Sequence, residues 1–207
     1  RDTRGDLADV AESKRRPGGE CEMGSECRAG WCVNGSCPHR VFVTRQVFSP
    51  DFGGASAADS RCEAAANDAG LSGEWTAMIL ENKAYSTPRF EVNAPVVNAV
   101  GEEMFARGSD FPAGPSNAPE YDARGKTVSD NLDSTGVVWT GWANLNRGAA
   151  KTCDDWSSVS TTTFGVVGDL GDTSGEKWLR SNETYQCAFM KQGQKMPSKA
   201  HLYCISQ

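Results

Sequence analysis

Histidine is nearly missing from this 207-residue chain: only His39 and His201 occur. Neither lies in a recognisable nucleophile setting, and no G-x-S-x-G elbow is present. Histidine-centred hydrolysis and a histidine-built zinc site therefore have little to work with. No pair of cysteines has the C-x-x-C spacing of a zinc ribbon or a redox enzyme. No apolar run is long enough to cross a bilayer as a helix. Basic excess is missing too. The net charge is −6, and the first forty residues carry seven basic and seven acidic side chains, so the whole acidic excess lies further on. A nucleic-acid binder needs a basic surface to displace counterions, and this balance disfavours one. No recognisable leader opens the chain, which starts at Arg1 and fits a processed form.

Cysteine and glycine are plentiful. Eight cysteines, an even number, point to a disulfide framework and an exported protein, secreted or held at the outer cell surface. Twenty-two glycines and nine prolines mark many turns, while six tryptophans and eight phenylalanines can fill a core. Three regions follow. Residues 1–19 have mixed charge and few large apolar groups, as expected of a flexible arm or one that docks on a partner. Arg4-Gly5-Asp6 spells the tripeptide of integrin ligands, but three residues also occur in any solvated terminus. Residues 20–38 hold Cys21, Cys27, Cys32 and Cys37, and a unit so short needs covalent staples. The spacing favours Cys21–Cys32 with Cys27–Cys37, although four cysteines allow three pairings. A zinc knuckle of four thiolates is the alternative.

Residues 39–207 form the main domain. Val41-Phe42-Val43-Thr44 reads as a strand, and Ser56-Ala57-Ala58-Asp59 as a capping box opening a helix. That helix places Ala58, Cys62, Ala65, Ala66 and Ala69 on one sheet-facing side and ends at Gly70. Trp75 to Leu80 reads as a buried strand, Val96-Val97-Asn98 as another, and Glu102 to Ala106 as a helical turn. Residues 107–120 are loop. The last third packs Val137-Val138-Trp139, Cys153-Asp154-Asp155-Trp156, Phe164 to Gly168, Cys187 and His201 to Ile205 into about seventy residues. Strand-like runs, turn glycines and cysteines alternate there, so the fold class is α+β.

The order of these motifs resembles endostatin, the C-terminal domain of certain collagens. The residues concerned are Val41-Phe42-Val43, Gly53-Gly54, Ala58-Asp59-x-x-Cys62, Ala69-Gly70-Leu71-x-Gly73, Trp75-x-Ala77 and Pro95-Val96-Val97-Asn98. Val138-Trp139-x-Gly141, Cys153-x-x-Trp156, Cys187 and Leu202-Tyr203-Cys204-Ile205 continue the series. The chain is still more similar to bacterial endostatin-like domains of leptospiral surface proteins and myxobacterial secreted proteins. Its four-cysteine stretch resembles myxobacterial modules that serve as spacers or staples. The resemblance implies a C-type-lectin-like fold: a twisted, mostly antiparallel sheet with two helices and long loops. It also implies nested disulfides, Cys62–Cys204 and Cys153–Cys187, tying the last strand to the first helix.

No catalytic residue stands out. Glu102-Glu103 and Asp154-Asp155 are adjacent carboxylates, an arrangement usually found on solvated surface. The calcium motifs of sugar-binding lectins (E-P-N, Q-P-D, W-N-D) do not occur, so no cofactor is expected, although oxygen groups around Asn144, Asn146, Asp154 and Asp155 suit calcium chemically. Arg89, Arg107, Arg124, Arg147 and Arg180 are scattered, so polyanion binding should be weak. Asn34-Gly35-Ser36 and Asn182-Glu183-Thr184 match the glycosylation sequon, as chance allows in a bacterial chain. The expected role is non-enzymatic adhesion or recognition of an extracellular protein or glycan. The expected site is the segment from Gly141 to Asp155: Trp142, Asn144, Asn146, Arg147, Asp154 and Asp155, with the alternative, favoured for Trp142, that its ring folds under as core and the polar groups make turns. The alternatives are a structural subunit of a fibre or surface layer, self-assembling through residues 1–19, and a secreted hydrolase.

Overall fold

The computed structural model describes residues 14–81, 89–128, 136–142, 151–181 and 184–207. Its centre is the last strand, β10 (His201–Ser206), in which all six residues are buried. β1 (His39–Val43) runs antiparallel along one side, with Phe42 opposite Cys204. Two shorter strands share the other side. β5 (Val137–Trp139) pairs parallel with His201 and Leu202, and β2 (Trp75–Ala77) pairs antiparallel with Cys204 to Ser206. The sheet grows outward through β3 (Val96–Asn98) and β4 (Glu103–Phe105) beyond β1, and through β6 (Phe164–Asp169) and β7 (Thr184–Gln186) beyond β5. β8 (Ala188–Lys191) and β9 (Gln194–Pro197) form a separate hairpin.

Side chains on a strand alternate between faces, and here both faces are buried. Phe42, Trp139, Leu202 and Cys204 point into one core, shared with the helix α1 (Ala55–Asp68). Val41, Val43, Val138, Tyr203 and Ile205 point into the other, closed by Met104, Phe105, Trp142 and Trp178. That is why the central strands read as unbroken apolar runs rather than as apolar–polar alternation. The fold is thus α+β and mostly sheet, with two α-helical elements among the described residues, the second being the short turn α2 (Cys153–Trp156).

α1 packs on β2 and β10. Ala58, Cys62 and Ala66 are fully buried, so nothing larger than a methyl or a sulfur separates helix from sheet at those points. Ala65 and Ala69, expected on the same side, are only half-buried, because they border a surface groove described below. The helix ends in a Schellman cap: Gly70 N–H donates to the Asn67 carbonyl and Leu71 N–H to the Ala66 carbonyl, with Gly70 at φ +74. The expected capping box does not form. Gly54 is the N-cap, and the Asp59 carboxylate turns toward β2, where it accepts from the Ala77 amide (2.9 Å) and pairs with Arg89 (2.6 Å). Glu102 to Ala106 is not a helical turn either. Met104 and Phe105 are needed in the second core, and the strand β4 delivers them by pairing with β3.

Four disulfides join Cys21–Cys32, Cys27–Cys37, Cys62–Cys204 and Cys153–Cys187. The Cys62–Cys204 bridge spans 142 positions of sequence and Cys153–Cys187 spans 34. Alone, the first would restrict the unfolded chain by about 5 kcal/mol and the second by about 4, but the loops are nested and the figures do not add. In the N-terminal module, Cys21, Cys27 and Cys37 bring their sulfurs within 4.8 Å of one another. Both bridges consume the thiolates a zinc knuckle would need. The module also begins earlier than residue 20. Arg15 bridges Cys27, Gly18 N–H donates to the Cys37 carbonyl, and Cys37 N–H donates to the Gly19 carbonyl. Arg4-Gly5-Asp6 lies outside the described residues.

The module sits directly on the main domain. Trp31 lies flat against Gly101, where a Cβ would come within 2.3 Å of the indole nitrogen, and the Arg40 guanidinium lies 4.9 Å from the Trp31 ring. Gly101 at φ +89 therefore serves the turn and the close approach together.

The tight helix–sheet contact predicts unequal tolerance along α1. Ala66→Leu should lower stability by about 1–3 kcal/mol through overpacking. Ala65→Leu, at the groove edge, should cost under about 0.5 kcal/mol. Chemical denaturation of both variants distinguishes them, and equal losses would mean that the helix packs in another rotation.

Candidate functional site

A concavity of about 330 Å³ lies where α1 passes the end of β1. Its floor is apolar: Val43, Phe48, Ala65, Ala69 and Ala123. Its rim carries Arg45, Arg61 and Arg124 with Asp68 and Asp122. The groove exists because α1 exposes alanines at positions where longer side chains would fill it.

Each charged group is placed by a local device. Asp122 is buried and folds its own turn, its Oδ1 accepting from the amides of Arg124 and Lys126 (2.9 Å each). Its Oδ2 lies 3.6 Å from Arg45 Nη1, and with the Arg45 side chain 59% exposed that pair contributes little. Arg124 Nη2 donates to the Asp68 carbonyl (2.8 Å), at the C-terminal end of α1 where a cation complements the helix dipole. Arg61 is different. Its guanidinium lies 4.6 Å from the Phe48 ring, and its Nε is buried without a hydrogen-bond acceptor. Thr44, also in the lining, has its hydroxyl committed: it donates to the Gln46 carbonyl and accepts from the Leu202 amide. The lining thus sets an apolar bed beside a ring-stacked guanidinium whose buried Nε has no partner. That suits a ligand carrying one carboxylate or similar anion. No histidine or cysteine lines it.

The segment expected to form the site is divided. Trp142 is 3% exposed and meets Phe111 edge-on at 5.5 Å, so it belongs to the second core. Its amide donates to Thr140 Oγ1. Asn144, Asn146 and Arg147 lie outside the described residues. Asp154 is exposed and Asp155 half-buried within α2, which is a left-handed turn. Cys153, Asp154, Asp155 and Trp156 have φ of 49, 56, 52 and 61°. Such a conformation costs about 1–2 kcal/mol per residue. It is held by the Cys153–Cys187 bridge, by Thr152 Oγ1 accepting from the Asp155 amide, and by Trp156. Trp156 donates from Nε1 to the Leu80 carbonyl (2.8 Å) and stacks on Phe52 at 5.4 Å, while its own carbonyl accepts from the amides of Gly53 and Gly54. Among the described residues of this segment, none lines the groove.

Arg124 is the one charged groove residue named from sequence. Arg45 and Arg61 were missed, although a basic residue among alanines on a helix was the available signal. Arg89 and Arg107 spend their charge locally, on Asp59 and Glu81 and on Asp110. The two histidines are structural. His39 Nδ1 lies 2.7 Å from the Ser206 carbonyl and Nε2 3.1 Å from Asn93 Oδ1. His201 Nδ1 donates to the Thr44 carbonyl (2.7 Å), and Nε2 is buried without a partner.

No protein-family model matches the chain, and no curated protein matches it.

Burial pushes the His201 pKa below its usual value, more than the hydrogen bond to the Thr44 carbonyl raises it. The unfolded chain therefore binds a proton more readily than the folded one. The stabilisation by neutral His201 is complete above about pH 6.5 and is lost as the pH falls from there. His201→Gln lacks this titration. The gap between the melting temperatures of parent and variant should narrow from pH 8 to pH 5, and a constant gap would contradict the assignment.

Proposed function

We propose that this chain is a non-enzymatic recognition protein, working outside the cell or at its surface, that holds a carboxylate-bearing protein or glycan in the groove beside α1. The observation that carries this reading is Arg61, a partly buried guanidinium with an unpartnered Nε over an apolar bed. Four disulfides favour an oxidising compartment, and no helix among the described residues is long and apolar enough to cross a membrane. The net charge of −6 repels a long polyanion but leaves room for a single anionic group at a local cation. The endostatin-like resemblance supports the extracellular setting. Fold likeness alone names no ligand, so the groove's chemistry has to supply it.

The test is titration calorimetry with uronic- and sialic-acid sugars and acidic peptides, each beside its uncharged counterpart. Carboxylate ligands should bind, and Arg61→Ala should weaken them at least about tenfold, as expected on losing a charge-assisted hydrogen bond, with the melting temperature preserved. Arg61→Lys should rescue little, because an ammonium lacks the planar fork. Equal binding of the uncharged counterparts, or undiminished binding by Arg61→Ala, would remove the groove from the account.

A second reading, a structural subunit that assembles with its own kind, has one observation in its favour. The β8–β9 hairpin lies outside the main sheet and exposes Phe189 (42%), Met190 (61%) and Met196 (41%). Under that reading light scattering shows mass rising with concentration, and Phe189→Ser with Met190→Ser abolishes the rise. A monomer at all concentrations would leave recognition by the single chain.

A further inference from the structure

A second, smaller cavity lies in the seam between the N-terminal module and the main domain, with a volume of about 160 Å³. Lys14 and Arg28 reach it from the module, Arg40 from β1 and Trp75 from β2, and the turn after α1 closes it. Three cations line it, and among the described residues no aspartate or glutamate does.

Two of its lining residues carry buried donors with nothing to bond to. The Arg40 Nε and the Trp75 Nε1 have no acceptor, and Trp75 is only 3% exposed. Arg40 Nη2 donates to the Ala99 carbonyl (2.6 Å), and the guanidinium lies 4.9 Å from the Trp31 ring. No carboxylate forms an ion pair with it among the described residues, and burial pushes its pKa down, the mark of a cation without a counter-charge. Arg28 is positioned as well. Its Nε donates to the Lys14 carbonyl (3.3 Å), and its side chain runs past Gly73, where a Cβ would stand 3.9 Å from Cδ.

Buried polar groups are almost always paired, so two orphan donors on residues lining a cavity with three cations, and with no aspartate or glutamate among its described residues, call for an acceptor that carries negative charge. The volume holds a small oxyanion but falls short of the pockets that enclose larger organic ligands. We propose that the seam cavity is a binding site for a small tetrahedral oxyanion of the sulfate or phosphate class, and that the bound anion fastens the four-cysteine module to the main domain. Lys14 and Arg28 contribute from one side of the seam and Arg40 and Trp75 from the other, so anion binding and module docking are thermodynamically linked.

The experiment uses the full chain, freed of sulfate and phosphate by dialysis. Sodium sulfate is titrated calorimetrically, and melting is followed against sodium chloride at matched ionic strength. One sulfate should bind per chain, saturably, and the melting temperature should climb with sulfate concentration where chloride leaves it flat. Arg28→Met, on the module surface, should weaken sulfate at least tenfold, while Arg107→Met, outside the cavity, should bind as the parent does. Trp75→Phe keeps the ring and removes only the N–H. It should weaken sulfate several-fold with melting in chloride unchanged, a combination that a purely structural role for Trp75 would not produce. An O-sulfated monosaccharide distinguishes a free ion from an ester: the inorganic ion should bind and the bulkier ester should not. Sulfate acting no differently from chloride, Arg28→Met binding like the parent, or the ester binding tighter than the ion would each overturn the proposal.

Discussion

The structure depends on how the backbone of β10 is satisfied. All six residues of the strand are out of water, so its amides and carbonyls must find partners within the protein. β1 covers one side. On the other, β5 serves His201 and Leu202, the Met78 amide serves the Tyr203 carbonyl (2.8 Å), and β2 serves the remainder. Both ends are closed by side chains. Thr44 Oγ1 accepts from the Leu202 amide, Ser206 Oγ accepts from the Arg40 amide, and the His39 ring meets the Ser206 carbonyl. Segments from three distant parts of the sequence thus converge on one strand, and the Cys62–Cys204 bridge fixes the helix to the same strand. Both cores follow from it, because Leu202 and Cys204 face one and Tyr203 and Ile205 the other.

The parts of the fold that were legible in sequence are those where one physical rule acts alone. Val41-Phe42-Val43 and Leu202 to Ile205 are apolar throughout because both faces are covered, and they read plainly as strands. Gly70 read as a helix end because only glycine takes φ +74 there at no steric cost. The rule failed where a tertiary demand overrode a local one. Asp59 has the spacing of a capping box, but the Ala77 amide and Arg89 claim its carboxylate. Glu102 to Ala106 looks helical, but the second core requires Met104 and Phe105 on a strand. β7, β8 and β9 carry mostly exposed side chains, so no apolar pattern announced them.

The candidate site was less legible, for a related reason. Trp142 beside polar residues was open to two readings, binding surface or core, and a tryptophan next to a buried strand gains more from Phe111 and the second core than from solvent. The groove is assembled from the end of β1, one side of α1 and the turn at Asp122, segments about twenty and sixty positions apart. Nothing in sequence links Arg61 to Phe48 and Ala123. Their meeting is a consequence of α1 lying across the sheet, and the helix can lie there only because its inward side is alanine and a half-cystine.

Charge shows the same division of labour. The chain is acidic as a whole, yet its arginines do not simply neutralise acids. Arg89 bonds Asp59 and Glu81, and Arg107 bonds Asp110, and these pairs are local fastenings. Arg61 and Arg40 instead lie on aromatic rings, Phe48 and Trp31, with a buried Nε left over. A guanidinium tolerates this because it is weakly hydrated and can stack, whereas an ammonium would have to keep its water. Stacking takes the face of the cation and leaves its edge. Each of these two arginines borders a cavity, so that edge is where an anionic ligand gains most and where a neutral one gains little. Ring-supported arginines thus give an acidic protein two places of local positive potential, without the basic surface that would attract every polyanion nearby.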